Sequence, residues 1–179
     1  MSRAIIILAD GFEEIEAVTC IDLLRRAEIE TVILGLDAID VRGSRGIWIK
    51  ADMAFDGFNE PFDAIILPGG MPGADNLASS EKLLAAIRKA YELGRICAAI
   101  CAAPLVFAKA GILNGKKATC YPGCESRVTG ASIVNDEVVT DGNIITSRAV
   151  GTAIPFALEI IKTLAGKTTA EKIKAGILY

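Results

Sequence analysis

The chain contains no histidine. Cysteine and serine hydrolases activate the nucleophile and protonate the leaving group through an imidazole, and identical copies of this chain have none to lend each other. Amidase or peptidase chemistry is therefore disfavoured, and histidine metal sites are excluded. Nor is there a basic excess. Nineteen Lys and Arg against 22 Asp and Glu give a net charge of -3, and the cations are scattered, so no stripe exists to neutralise a phosphate backbone. Neither nucleic acid nor an anionic membrane surface is expected as a partner. Long apolar runs are also missing: Ile96 to Ala108, the longest, has thirteen residues and contains Pro104, short of the roughly 18 that a membrane span needs. The opening "MSRAIIILADG" has six apolar residues between Arg3 and Asp10 and no cleavage region, so it reads as a strand rather than a signal peptide. The expectation is a cytoplasmic protein whose five cysteines stay reduced.

Apolar residues are abundant, at 52% of 179, enough for one domain over 1–179 with a sizeable core. No linker, repeat or low-complexity tract interrupts it. "RAIIILA" (3–9), "ETVILGL" (30–36), "DAIILPG" (63–69) and "RICAAIC" (95–101) are near-continuous apolar runs, as in strands covered on both faces. Segments of helical period lie between them at 13–27 and 79–94, the second capped by Ser79 or Ser80 and stopped by Gly94. This alternation predicts an α/β sandwich with a mainly parallel central sheet and right-handed crossovers. Later strands are expected near 117–120, 131–134 and 137–140, with a hairpin turn at Asp141–Asn143, a helix over 151–166 and a capped terminal helix from Thr168.

Chemistry in such a sheet gathers beyond the carboxyl ends of the strands. Cys101 stands at one of them, in "AICAA", with the small flanking residues that a sharp strand-to-helix turn requires. If a helix begins at Ala102, its N-terminus lowers the thiol pKa; alternatively Cys101 is a small core residue. Cys20 and Cys97 read as core. Cys97 and Cys101 lie too far apart along a strand, about 13 Å, to share a tetrahedral zinc, and no metal site is predicted. Cys120 and Cys124 flank a "YPG" turn, where either could be a secondary thiol near the active edge.

Acidic residues in a first helical turn ordinarily complement the dipole on a solvated face, and Glu13 and Glu14 are read so. Glu16 differs, because helical offsets align it with Phe12, Cys20, Leu23 and Ala27 on the apolar stripe. Burial there raises a carboxyl's pKa and lets it stay protonated, able to donate a hydrogen bond to a nearby thiolate. The pair Gly69-Gly70 matches no nucleotide fingerprint. Its amides, together with that of Ala102, could hold an oxyanion or an oxidised sulfur, or the glycines could simply make a turn.

The stretches "RAIIILADGFEEIEAV", "DAIILPGGMPGADNL", "AAICAAP" and "TSRAVGTAIPFAL", in this order across essentially the whole chain, resemble the ThiJ/PfpI superfamily, in the branch of the human parkinsonism-linked protein (DJ-one) and bacterial ThiJ-like proteins. The resemblance implies a flavodoxin-like fold, a nucleophile-elbow cysteine at Cys101, a protonated carboxyl at Glu16, amide donors at Gly70 and Ala102, and a homodimer. Arg45 resembles an arginine that relatives extend across the dimer interface, and Arg148 one near the oxidised cysteine. Implied activities are cofactor-free conversion of α-oxoaldehydes, as a glyoxalase, or repair of their protein adducts, as a deglycase. The alternative is a redox-sensing or chaperone-like stress protein whose cysteine oxidises to sulfinate. Flavin binding is disfavoured by the acidic first loop. Two departures stand out: Ala102 replaces the histidine of the peptidase-like branch, and Tyr121 occupies the apparent place of a loop histidine. A tyrosine of ordinary pKa, about 10, is a poor proton shuttle, which leaves that task to Glu16.

Overall fold

A computed structural model describes residues 2–179. The apolar runs become parallel strands, in chain order β1 (Arg3–Leu8), β2 (Glu30–Gly35), β5 (Met53–Ala54), β6 (Ala64–Leu67), β7 (Ile96–Ile100) and β11 (Ile144–Ser147), with β10 (Val138–Asp141) antiparallel at one edge. The sheet order is β10-β11-β7-β6-β1-β2-β5. Between β2 and β5, β3 (Asp40–Arg42) and β4 (Trp48–Lys50) pair as an antiparallel ribbon, and β8 (Lys117–Ala118) pairs with β9 (Ser132–Ile133).

Alternate residues of each strand enter different layers. Ile5 and Ile7 pack beneath α2 (Gly73–Ser79), α3 (Glu81–Glu92) and α4 (Pro104–Ala110). Ala4, Ile6 and Leu8 face α1 (Glu14–Arg26), α5 (Ala153–Ala165) and α6 (Lys167–Gly176). Both faces are covered, which is why these runs show little polar alternation. The outcome is the flavodoxin-like three-layer sandwich expected. Among the described residues no helix is long and apolar enough to cross a membrane.

The Ser80 hydroxyl caps α3 by accepting the Leu83 amide at 3.2 Å, and Gly142–Asn143 makes the tight turn that pairs Asp141 with Ile144. The starts of two helices differ from expectation. The helix after Cys101 begins at Pro104, not Ala102; proline's fixed φ and missing donor suit a first helical position. The terminal helix begins at Lys167 directly after Gly166, without a threonine cap. Two elements the periodicity did not suggest are α2, whose Ala74, Leu77 and Ala78 are buried, and the β3–β4 ribbon.

Candidate active site

The carboxyl ends of β1, β6, β7 and β11 converge as the topology requires, and a cavity of about 500 Å³ opens there. Cys101 ends β7 at φ +65°, a left-handed conformation that costs a non-glycine residue free energy and survives only where its surroundings impose it. They do so through the backbone: the Cys101 amide donates to Ser147 O at 2.9 Å, and its carbonyl accepts the Tyr121 amide at 2.8 Å. The turn lifts the sulfur out of the sheet into the cavity, whose lining it shares with Gly70 and Ala102. The effect of both backbone amides on the sulfur is to lower its pKa.

Glu16 is fully buried on the predicted stripe with Phe12, Cys20, Leu23 and Ala27. One carboxyl oxygen, Oε2, accepts the Gly69 amide at 2.8 Å, so this amide holds Glu16 and does not belong to the donor set for an oxyanion. The other, Oε1, is buried without a hydrogen-bond partner among the described residues. Burial pushes the Glu16 carboxyl from 4.5 up to about 7, reinforced by Glu13 and opposed by the Gly69 amide and the Cys101 thiol. Glycine at 69 is obligatory: an added Cβ would lie 2.6 Å from Cys101 Cβ and 2.9 Å from Glu16 Oε2. At Gly70, φ +90°, a Cβ would meet the Glu13 amide nitrogen at 2.4 Å.

The expectation of a thiol lowered by a helix N-terminus is corrected. Burial pushes the Cys101 thiol up, and so do the charge of an ionised Glu16 and the proximity of its carboxylate to the thiol, against the lowering effect of the Gly70 and Ala102 amides. The helix begins too late to offset this. Two of the three raising causes exist only while Glu16 is a carboxylate. Protonating Glu16 removes them and supplies a donor instead.

Glu13 and Glu14 are not solvated dipole complements. Both are buried, and they tie down the loop between β3 and β4. Glu14 Oε1 accepts the Arg45 amide at 2.7 Å and the Ile47 amide at 3.3 Å, and Glu13 Oε2 accepts the Ser44 hydroxyl at 3.1 Å. Burial alone would raise the Glu14 carboxyl; its own amide, those of Arg45 and Ile47 and the Ser44 hydroxyl outweigh it and hold the group below its ordinary value. The loop carries Arg45 to the cavity mouth, its guanidinium 4.0 Å from Glu13 and largely exposed.

Tyr121 also lines the cavity. Arg148 does not: its amide turns back onto Thr152 Oγ1 at 3.3 Å, and the wall contributed by this segment is Ala149 and Val150. Ser44 and Met71 line the cavity too without having been singled out from sequence; of the two thiols expected near the active edge beside the "YPG" turn, Cys124 lines the cavity and Cys120 is buried. Cys20 and Cys97 are core, as read, and burial raises both thiols, Cys97 to about 12. Among the described residues no cluster of metal-ligating side chains occurs.

Known proteins share this fold. Protein dj-1beta of Drosophila melanogaster is 41% identical over 179 residues, covering 98% of this chain and 96% of that protein, and its crystal structure superposes with a TM-score of 0.96 over 99% and 98% of the two chains. DJ-1 homolog B of Arabidopsis thaliana is 44% identical over 163 residues, 89% of this chain, which spans only 37% of that longer protein. A Pyrococcus horikoshii protein named a deglycase is 32% identical over 165 residues, covering 90% of this chain and 99% of its own. The DJ-1/PfpI family model matches residues 2–163, and with these relatives it places the whole sandwich: the chain belongs to the DJ-1/PfpI family.

Proposed function

We propose that this protein is a cofactor-independent enzyme acting on α-oxoaldehydes or their protein adducts, with Cys101 as nucleophile and Glu16 as the proton carrier. The observation that carries the reading is the pairing of a fully buried carboxyl, one oxygen unpartnered, with a cysteine held at positive φ beneath two amide donors. A neutral Glu16 beside a Cys101 thiolate satisfies all of these groups with one shared proton. The name of the Pyrococcus relative points the same way.

In this mechanism the Cys101 thiolate adds to the aldehyde carbon, forming a C–S bond while the carbonyl electron pair moves to oxygen. The Gly70 and Ala102 amides hold that oxyanion until Glu16 protonates it. Now a carboxylate, Glu16 removes the hydrogen from the former aldehyde carbon as a proton and returns it to the neighbouring carbon, while the hydroxyl proton on the first carbon passes to the oxygen of the second, which becomes the hydroxyl as the first regains its carbonyl. The product is a thioester, which water cleaves to the 2-hydroxy acid and the free thiol. The sum is substrate plus water, with no external oxidant or reductant.

The test is turnover of methylglyoxal with lactate as product. Lactate formation lost in Cys101→Ser and in Glu16→Leu supports the reading, and no turnover above the Cys101→Ser background removes it. The second reading, oxidation of Cys101 to a sulfinate held by the same groups, is favoured by the sulfur's partial exposure.

The working unit of this proposal is a homodimer in an intracellular compartment. Ile15 and Val18 on α1 are exposed beside Ile47 and Trp48 of the ribbon, and Glu14 ties the two segments together. Such an apolar flank is suited to a second copy. Arg45 lies next to it and is positioned to extend across.

A further inference from the structure

Of the five cysteines, Cys20, Cys97 and Cys120 are buried, and Cys101 and Cys124 are the two that reach solvent. Both line the one cavity. The connection between them is short: the Tyr121 amide is bonded to the Cys101 carbonyl at 2.8 Å, and the Cys124 amide returns to the Tyr121 carbonyl at 2.9 Å. One inter-segment hydrogen bond and one tight turn therefore separate the two backbones. Cys120, although next to Tyr121, points into the core beneath α2, α3 and α4.

We propose that Cys124 is the resolving thiol of Cys101, capturing its peroxide-oxidised form as an intramolecular disulfide. The inference rests on reading Cys101 as reactive. A Cys101 thiolate attacks hydrogen peroxide, taking one oxygen to become a sulfenic acid and releasing hydroxide. The Cys124 sulfur then attacks the Cys101 sulfur, an S–S bond forms, the S–O bond breaks, and the hydroxyl leaves as water with the Cys124 proton. Peroxide takes two electrons from the two thiols, and two waters result.

The turn has the freedom this needs. A disulfide holds its Cα atoms within about 7 Å, and the turn at residues 121–124 is the element that would bring Cys124 onto Cys101 at the cavity mouth. Tyr121, Pro122 and Gly123 are exposed, and a Cβ placed on Gly123, φ +98°, would touch nothing within 4 Å. Beyond the Tyr121 bond to Cys101, the turn is held by the Gly123 amide on Glu125 at 2.8 Å, and the segment after it by the ion pair of Arg127 with Asp75 of α2. Oxidation would thus seal the cavity reversibly, sparing Cys101 the irreversible sulfinate.

The test treats wild type, Cys124→Ser and Cys120→Ser with an excess of hydrogen peroxide over the two equivalents that a sulfinate consumes, followed by intact mass and non-reducing peptide mapping. Expected is a loss of about 2 Da in wild type and in Cys120→Ser, mapped to Cys101–Cys124 and reversed by dithiothreitol, and loss of that disulfide in Cys124→Ser, where Cys101 gains about 32 Da. A wild type that accumulates Cys101 sulfinate as fast as Cys124→Ser overturns the resolving role while leaving Cys101 reactive. A Cys120–Cys124 bridge overturns it as well. Cys101 unmodified in every variant overturns the reactive reading itself, and this inference with it.

Discussion

Replacing Glu16 by Gln tests the central electrostatic argument through folding stability alone, before any substrate is considered. The carboxyl rises from 4.5 to about 7 on folding, which corresponds to about 3 kcal/mol in favour of the neutral form. The sign follows from proton binding. Between 4.5 and about 7 the folded protein keeps a proton at Glu16 that the unfolded chain has released, so stability from this group is fully present below the lower value and is lost as pH rises through the upper one. Gln preserves shape and an acceptor for the Gly69 amide but cannot titrate. Its NH₂ costs about 1–3 kcal/mol if left unpaired where Oε1 now sits, yet that cost is independent of pH. The assay is urea unfolding of both proteins from about pH 4.5 to 8, read as the difference between them so that groups not coupled to Glu16 cancel. Wild type should lose about 3 kcal/mol relative to Glu16→Gln across the interval, with plateaus on either side. A difference that stays flat to within about 0.5 kcal/mol would refute burial as the force acting on Glu16.

Where the shared proton sits is read by alkylation. If Glu16 donates to a Cys101 thiolate, Glu16→Leu should slow iodoacetamide labelling of Cys101 near neutral pH; faster labelling would mean that Glu16 acts there as a repelling carboxylate. Gly69→Ala should cost about 1–3 kcal/mol by overpacking, because its Cβ would fall within 3 Å of Cys101 Cβ, Glu16 Oε2 and Ile100 O; wild-type melting behaviour with unchanged labelling would show that the contact is relaxed cheaply. Glu14→Gln should raise amide exchange at Arg45 and Ile47, measured by hydrogen–deuterium exchange, because both donate to its Oε1. Since folding lowers the Glu14 carboxyl, its stabilising effect is present above the unfolded-state value and lost as pH falls through the folded one, so protection of the loop should weaken in acid in wild type and less so in the variant.

Sequence periodicity located the sheet because strands buried on both faces leave a dense, recognisable signature, and it located Glu16 because a carboxyl at helical offsets from Phe12, Cys20 and Leu23 has nowhere polar to go. It misjudged Glu13 and Glu14, since their burial comes from a loop 30 positions away that a helical wheel does not include. The ribbon was missed for a related reason. Arg42, Trp48 and Lys50 are exposed, and a two-stranded element with one small buried contact, Val41, has no apolar alternation to display. Helix α2 hides in "GADNLAS" because packing against α3 and α4, not propensity, makes it helical. Arg148 was carried by resemblance alone, and the direction of a side chain after Ser147 depends on the bonds that Thr152 makes.

The cavity has a floor and a rim of different kinds. Glu16 and Ala102 are placed by the packed interior, whereas Met71, Tyr121 and Val150 stand exposed on connecting segments. Exchange of rim side chains can therefore alter which molecules are admitted without touching the fixed chemistry beneath, so diversification of this scaffold should proceed from the mouth inward.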